Sequence, residues 1–141
     1  MIGILLITHD GLGDSLLNCV RHVMGEVPPY VKAMSVLAAH DPQRKEAEGR
    51  MLIAQLDTGA GVLLLADLFG ATPSNIARRL TQPGRVQGLA GVNLPMLLRA
   101  ISYGNRPLAE VTRKALQGGQ ECIVLMDTGD KQNDTTGRTD H

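Results

Sequence analysis

Short apolar runs alternate with segments of helical periodicity along most of the chain. Five runs have the length and the Val, Ile and Leu content of strands: Ile2–Ile7, Val31–Leu37, Gly61–Ala66, Arg85–Ala90 and Glu121–Met126. The run Gly61–Ala66 is the most continuously apolar, which is typical of a strand buried on both faces of a parallel sheet. We therefore expect this run to lie near the middle of the sheet.

Helices are predicted between the strands, because apolar residues there recur at intervals of three to five. Asp41-Pro42 and Thr72-Pro73 each offer a cap followed by a proline suited to a first helical turn. The predicted helices run from Leu12 to Met24, from Pro42 to about Leu56, from Pro73 onward, from Pro95 to about Ser102, and from Pro107 to a stop at Gly118–Gly119. Their expected inward-facing residues are Leu12, Leu16, Leu17, Val20, Val23 and Met24, then Met51, Leu52 and Leu56, and finally Leu108, Val111, Ala115 and Leu116.

This alternation predicts a three-layer α/β fold with a doubly wound, mainly parallel sheet and right-handed crossovers. A strand order of 2-1-3-4 would place the carboxyl ends of strands one and three beside each other. We find no internal repeat and no linker, so residues 1–126 are predicted to form one domain. The polar segment from Asp127 to His141 is expected to be a frayed tail.

The composition narrows the functional classes. Fourteen basic residues balance fourteen acidic ones, so the total charge gives no reason to expect nucleic acid or an anionic membrane as partner. Aromatic residues are only 2% of the chain, which disfavours a site that stacks a flavin. No apolar run approaches the ~20 residues of a transmembrane helix, and Cys19 and Cys122 have apolar neighbours that suggest buried free thiols. We therefore expect a reduced, cytoplasmic protein without direct membrane insertion.

Candidate chemistry concentrates where strands one and three end. His9 follows the first strand and Asp67 follows the third, so the predicted strand order brings them to one crevice. Neutral imidazole is a nucleophile near pH 7, and a carboxylate on one ring nitrogen leaves the other free to attack. Two predicted helix N-termini could direct backbone N–H groups at an anion on His9. One is Gly11–Gly13, which includes Leu12, and the other is Pro73–Asn75, which includes Ser74. These parts fit phosphoryl transfer without a metal or a cofactor.

Other interpretations start from the same residues. Taken singly, a histidine at a strand end is more often a loop or capping residue, and Asp67 could simply cap a turn. A metal hydrolase built on His9, Asp10 and Asp67 is conceivable, but it lacks a further histidine nearby. A receiver domain would need paired acids after strand one and a lysine after the last strand, where this chain has Asp10 and Asp127. His22 is interpreted as a surface helical residue and His40 as a structural residue beside the Asp41 cap.

Three segments together carry a resemblance to a known family. The segments are Thr8-His9, the run from Asp67 to Asn75 (Asp-Leu-Phe-Gly-Ala-Thr-Pro-Ser-Asn) and the run from Ala90 to Leu97 (Ala-Gly-Val-Asn-Leu-Pro-Met-Leu). Together they are similar to the hallmark segments of mannose-family enzyme IIA domains. These domains belong to the bacterial phosphoenolpyruvate:sugar phosphotransferase system. The order and spacing match over roughly residues 1–126.

The resemblance implies a phosphotransferase with a phosphohistidine intermediate. His9 would accept a phosphoryl group from phospho-HPr and pass it to an enzyme IIB partner in sugar uptake or a regulatory phosphorelay, while Asp67 holds the other ring nitrogen. Thr72 matches a hydroxyl residue beside the phosphate, and Thr8 and Asn93 lie next to the site. The family fold also implies a homodimer that exchanges an antiparallel last strand, here Glu121–Met126, with Gly118–Gly119 as hinge.

The same resemblance leaves the use of the phosphoryl group open. Asp10 stands where the family often has a small or apolar residue, so we expect its side chain to point away from the phosphate. A regulatory module that is read out by its phosphorylation state is an alternative to the carrier. The phosphocarrier subunit of a dihydroxyacetone kinase, which shares the fold and the histidine, is another.

Overall fold

Nine regular elements make up the part of the chain that the computed structural model describes, which is residues 1–127. They are β1 (Gly3–His9), α1 (Leu12–Met24), β2 (Val31–Val36), α2 (Pro42–Leu56), β3 (Val62–Ala66), α3 (Thr72–Leu80), β4 (Val86–Ala90), α4 (Leu94–Ser102) and α5 (Leu108–Glu121). The first four predicted strands and all five predicted helices are confirmed, with ends shifted by a few residues.

The four strands form one parallel sheet in the order β2-β1-β3-β4. Strand β1 pairs on both sides, so that Ile7 lies between Met34 of β2 and Ala66 of β3. The predicted order is therefore confirmed, and the carboxyl ends of β1 and β3 are neighbours.

Helices cover both faces of the sheet and make the fold three-layered. Because successive strand residues point to opposite faces, Ile4 and Leu6 of β1 join an apolar cluster with α1, α4 and α5. Leu5 and Ile7 join a second cluster with α2 and α3. Each cluster is built from aliphatic residues and methionine, as the scarcity of aromatic residues requires.

The end of the last helix differs from the prediction. Gly118 and Gly119 do not stop α5, which continues to Glu121 with both glycines buried inside it. A Cβ atom at Gly118 would lie 2.9 Å from Arg99 Cβ, and one at Gly119 would lie 2.9 Å from Met96 Cε. These glycines therefore let α5 approach α4 closely, and the prediction of a helix stop was wrong.

The predicted last strand does not form within this chain. Glu121 belongs to α5, and residues 123–127 have no regular secondary structure. The apolar side chains of Ile123 and Leu125 are 75% and 82% exposed, because nothing in the described chain packs against them. The predicted tail lies outside the described residues apart from Asp127.

Several predicted inward faces are wider than the observed ones. On α1 only Val20 and Gly13 are fully buried, and the neighbouring Cys19 is exposed, since successive helical residues point about 100° apart. On α2 the close contact with α3 is made by Gly49, where a Cβ atom would meet Leu80 Cδ1 at 2.6 Å. The residues predicted as buried but found exposed are Leu12, Val23, Met24, Met51 and Leu116. Cys122, at the end of α5, is half-buried.

Among residues 1–127, no helix is both long and apolar enough to cross a lipid bilayer.

Candidate functional site

The site lies at the carboxyl edge of the sheet, where β1 and β3 end. His9 is the last residue of β1, and Asp67 directly follows Ala66, the last residue of β3. The pairing of Ile7 with Ala66 sets the two strand ends side by side, so the side chains of His9 and Asp67 meet just beyond the carboxyl edge of the sheet. The crevice predicted from the strand order is thus occupied by the predicted pair.

Asp67 holds His9 through two hydrogen bonds to one carboxylate oxygen. The backbone N–H of His9 donates to Asp67 Oδ2 at 2.9 Å, and the ring nitrogen Nδ1 lies 2.9 Å from the same oxygen. The other oxygen, Oδ1, accepts the backbone N–H of Leu68 at 2.9 Å. An ionised carboxylate only accepts hydrogen bonds, so Nδ1 carries the proton and Nε2 of the neutral ring bears a free lone pair.

The surroundings favour this charge state of Asp67. Burial raises the pKa of Asp67, but the backbone N–H and the ring of His9 outweigh that effect and hold the pKa below its usual range. The Asp67 side chain is 10% exposed, whereas that of His9 is 49% exposed. The pair therefore combines a carboxylate that is largely shielded from solvent with an imidazole that is accessible, an arrangement suited to group transfer to histidine.

A tight turn leads from His9 into α1. Asp10 has φ 45°, in the left-handed region that is rare for a residue other than glycine, and its N–H donates to Val36 O at 3.1 Å. Gly11 is the N-cap of α1 and receives no side-chain cap. Within residues 1–127 the backbone N–H groups of Gly11 and Leu12 have no hydrogen-bond acceptor, so these two predicted phosphate-binding residues have free donors. The orientation expected for the Asp10 side chain stays a prediction.

The turn from Asp67 into α3 has a different cap from the predicted one. Ala71, not Thr72, is the N-cap, and Thr72 is the first helical residue, exposed at the helix start. The Ser74 hydroxyl accepts the N–H of Gly70 at 2.9 Å and donates to Ala71 O at 3.0 Å. Its proton is thus engaged inside the loop, and the predicted phosphate contact of Ser74 would require that bond to be exchanged.

Asn93 joins the site to the far end of α5. Its side-chain oxygen caps α4 by accepting the N–H of Met96 at 3.0 Å, and its amide donates to Gly119 O at 3.1 Å. The preceding residue, Val92, donates to Ala66 O at 3.0 Å, one position before Asp67. Asn93 is therefore site-adjacent through the backbone, while its own polar atoms hold α4 against α5.

The remaining histidines lie outside this site. His40 accepts the N–H of Leu37 through Nδ1 at 2.9 Å, and Asp41 caps α2 by accepting the N–H of Gln43, so the structural interpretation of both residues is confirmed. His22 is exposed on α1. In the described range of 1–127, no group of three His, Cys, Asp or Glu side chains is arranged to hold a metal ion.

Reasoning on the sequence placed Thr8 next to the site but missed its contact with the start of α1. Thr8 is fully buried and its Oγ1 accepts the N–H of Gly13 at 2.8 Å, so it fixes the start of α1 beneath His9. A signal was present, since Thr8 is the polar residue that ends an otherwise apolar strand run. A buried hydroxyl in that position needs a partner, and the next helix start supplies one.

Comparison with known proteins identifies the family of the chain. A family model described as EIIA-man, PTS system fructose IIA component, matches residues 3–116. The PTS system mannose-specific EIIAB component of Escherichia coli strain K12 is 30% identical over 128 residues, which are 89% of this chain and 39% of that protein. The chain thus spans about two fifths of the length of the curated relatives that it matches.

Solved structures show the same fold. The mannose/sorbose-specific IIA subunit of the phosphotransferase system from Enterococcus faecalis superposes with a TM-score of 0.80 at 24% identity, over 92% of this chain and 97% of that one. Phosphotransferase system component EIIA from Streptococcus agalactiae gives a TM-score of 0.79 at 24% identity, over 89% and 97%. The His9–Asp67 pair at the carboxyl edge of this fold, and a family match over most of the chain, lead to one conclusion: the chain belongs to the EIIA-man family of phosphotransferase system components.

Proposed function

We propose that this chain is a phosphohistidine carrier that accepts a phosphoryl group from phospho-HPr on His9 and passes it to an enzyme IIB partner. The observation that carries the proposal is the 2.9 Å contact between His9 Nδ1 and Asp67, which leaves Nε2 unprotonated on a half-exposed ring. Family membership supports a role in the sugar phosphotransferase system.

The proposed step is an in-line displacement at phosphorus. The Nε2 lone pair of His9 forms the new N–P bond, the bond from phosphorus to the donor atom of HPr breaks, and its electron pair stays on HPr. The Nδ1 proton remains between the ring and Asp67, whose negative charge offsets the positive charge that the ring gains. The free amides of Gly11, Leu12 and Thr72 are available to the phosphoryl oxygens. Onward transfer is the reverse displacement, with IIB as nucleophile.

Reconstitution tests the proposal directly. The purified chain is incubated with phosphoenolpyruvate, enzyme I and HPr, and the acid-labile phosphate that it acquires is measured. We expect His9→Ala to lose the label, while the matched variants His22→Ala and His40→Ala keep it. A wild-type chain without label, or a His9→Ala chain that is still labelled, would overturn the proposal.

A second incubation separates the carrier from a regulatory module. Phosphorylated chain freed of HPr is mixed with an enzyme IIB domain of the mannose family, and the label is followed on both proteins. Transfer to IIB supports the carrier. Retention of the label by this chain with every IIB tested contradicts the carrier and favours a module that is read out by its phosphorylation state.

We further propose that the chain forms a homodimer through its last apolar segment. Within residues 1–127 no strand pairs with the outer edge of β4, where Gln82 bridges only to Val86, and a cavity of about 150 Å³ beside it is lined by residues that include Phe69, Gly88 and Leu89. Four exposed apolar residues, 123–126, follow α5. An uncovered strand edge and an exposed apolar segment are both unfavourable in water, and exchange of the segment between two copies covers both.

Light scattering on the purified chain is expected to give the mass of two copies, and the mass of one copy would contradict this.

A further inference from the structure

Only two polar residues in the described part of the chain are buried: Thr8, which precedes His9 on β1, and Ser74, which lies in the first turn of α3 after Asp67. Thr8 is 0% exposed and Ser74 is 3% exposed. Burying a hydroxyl costs free energy unless it is hydrogen-bonded, so each of these two hydroxyls depends on the backbone groups that it contacts. Their location calls for an explanation in terms of the site.

Each hydroxyl fixes one of the two turns that enclose the site. Thr8 Oγ1 accepts the N–H of Gly13 and so holds the start of α1, whose free amides belong to Gly11 and Leu12. The start of α1 is packed closely against the sheet, because a Cβ atom at Gly13 would lie 3.1 Å from Ala33 Cβ and 3.2 Å from Thr8 Oγ1.

Ser74 acts in the same way on the other turn. Its hydroxyl accepts the N–H of Gly70 and donates to Ala71 O, which closes the loop that runs from Asp67 into α3. Thr72, with its free amide, lies within this closed loop at the helix start. The two turns are thus held in a similar way: a buried hydroxyl accepts a backbone N–H from the first turn of α1 in one case and from the loop before α3 in the other.

We propose that Thr8 and Ser74 are positioning residues for phosphoryl transfer, which hold the amides at the starts of α1 and α3 in place around the phosphoryl group on His9. This inference rests on the proposed function. Neither side chain contacts the phosphoryl group. Donors that are already aligned need no reorganisation when charge develops, and a displacement of about 1 Å can cost up to about 100-fold in rate.

The test compares isosteric and conservative substitutions in the reconstituted reaction. Thr8→Val removes the hydroxyl and keeps the shape, Thr8→Ser keeps the hydroxyl, and Ser74→Ala removes the second hydroxyl. Thr112→Val is the matched control, because the Thr112 hydroxyl donates to Leu108 O on α5, away from the site. Each variant is assayed at a temperature at which circular dichroism shows it folded.

We expect Thr8→Val and Ser74→Ala each to lower kcat for phosphorylation by about tenfold, with KM for phospho-HPr changed less than twofold. Thr8→Ser should return to within about twofold of wild type, and Thr112→Val should match wild type. Spontaneous hydrolysis of the isolated phosphoprotein should also be altered in Thr8→Val and Ser74→Ala but unchanged in Thr112→Val, since this readout needs no partner. A merely structural hydroxyl would lower the melting temperature and leave both rates unchanged.

The outcomes separate this inference from the function on which it rests. If wild type acquires no phosphate on His9, the proposed function fails. If wild type is phosphorylated and folded Thr8→Val and Ser74→Ala react at wild-type kcat, only the positioning role is overturned. If Thr8→Val does not fold, Ser74→Ala alone decides, because the partners of the Ser74 hydroxyl are backbone groups of its own loop and not of the sheet.

Discussion

Asp67 is the residue whose contacts orient the ring of His9. Its two carboxylate oxygens accept three N–H groups, two of which belong to His9. Burial raises the pKa of Asp67, but the two N–H groups of His9 outweigh burial and hold the pKa below its usual range, so the carboxylate stays ionised from neutral pH down through mildly acidic pH. The tautomer of His9 with Nε2 free is therefore maintained over the whole range in which the imidazole can act as a nucleophile.

Replacing Asp67 by Asn tests this residue. The amide can donate to Nδ1, which would put the ring proton on Nε2, and it carries no charge to offset the phosphorylated ring. We expect Asp67→Asn to slow phosphorylation by phospho-HPr by roughly 100-fold or more, as measured by rapid-quench labelling. Asp41→Asn serves as control, since asparagine also caps helices well. An unchanged rate in Asp67→Asn would show that Asp67 does not orient His9.

The backbone at Asp10 gives a second prediction at this scale. A side chain at φ 45° is strained, and Asp tolerates this region better than Ala. We expect Asp10→Ala to be less stable than Asp10→Gly by about 1 kcal/mol in urea unfolding, because glycine adopts this conformation without a steric penalty. Equal stabilities would mean that the turn relaxes to a negative φ.

At the scale of elements, the turn between α2 and β3 depends on one carboxylate. Asp57 Oδ1 accepts the N–H groups of Gly59 and Gly61 at 2.8 and 3.1 Å, and Oδ2 accepts Arg85 Nη2 at 2.7 Å. The Gly59 amide first, then Arg85 and the Gly61 amide, hold the pKa of Asp57 below its usual range. The charged carboxylate thus ties the entry of β3 to that of β4, at the end of the sheet opposite His9.

The pH dependence of stability tests this turn. A carboxyl group whose pKa is lowered on folding stabilises the fold at pH values above its unfolded pKa of about 3.9, and this contribution is lost as pH falls through the folded pKa. We expect Asp57→Asn to lower the free energy of unfolding by about 1 kcal/mol at pH 7, with the gap to wild type closing below about pH 4. A gap that does not change with pH would contradict a role for the charge.

The contact between α4 and α5 gives another prediction. A methyl group at Gly118 would come within 2.9 Å of Arg99 Cβ and 3.2 Å of Pro95 O, so the helices would have to separate. We expect Gly118→Ala to destabilise the chain by about 1–3 kcal/mol, despite the better helix propensity of alanine. Gln117→Ala, one position earlier, is the control and should be close to neutral. Stabilisation by Gly118→Ala would show that the helices are not packed this closely.

At the scale of the whole molecule, the sequence predicted the order of the sheet and the meeting of His9 with Asp67. The alternation of apolar runs and helices, which depends on local periodicity, predicts a parallel sheet, and the hypothesis of the order 2-1-3-4 then brings the two residues together. The sequence did not predict where α5 ends, because Gly118 and Gly119 match a helix stop locally and only the presence of α4 gives them another role. For the same reason it missed the hydroxyl contacts of Thr8 and Ser74, which join residues through space.

The proposed dimer is testable at this scale too. If residues 123–126 pack on the β4 edge of a second copy, a charge at Leu125 would be buried there and would oppose association. We expect Leu125→Asp to have the mass of a single chain by light scattering, while Met51→Asp, a similar change at an exposed position on α2, keeps the mass of the wild type. A Leu125→Asp variant with the wild-type mass of two copies would contradict exchange of this segment.

The most direct test of the account identifies the phosphorylated atom. The chain is labelled with ¹⁵N in its histidines, phosphorylated through phospho-HPr, and examined by two-dimensional ¹H–¹⁵N NMR, with His9→Ala used to assign the signals. We predict that Nε2 of His9 carries the phosphorus and that Nδ1 keeps its proton beside Asp67. Phosphorus on Nδ1 of His9, or on any other residue, would contradict the account.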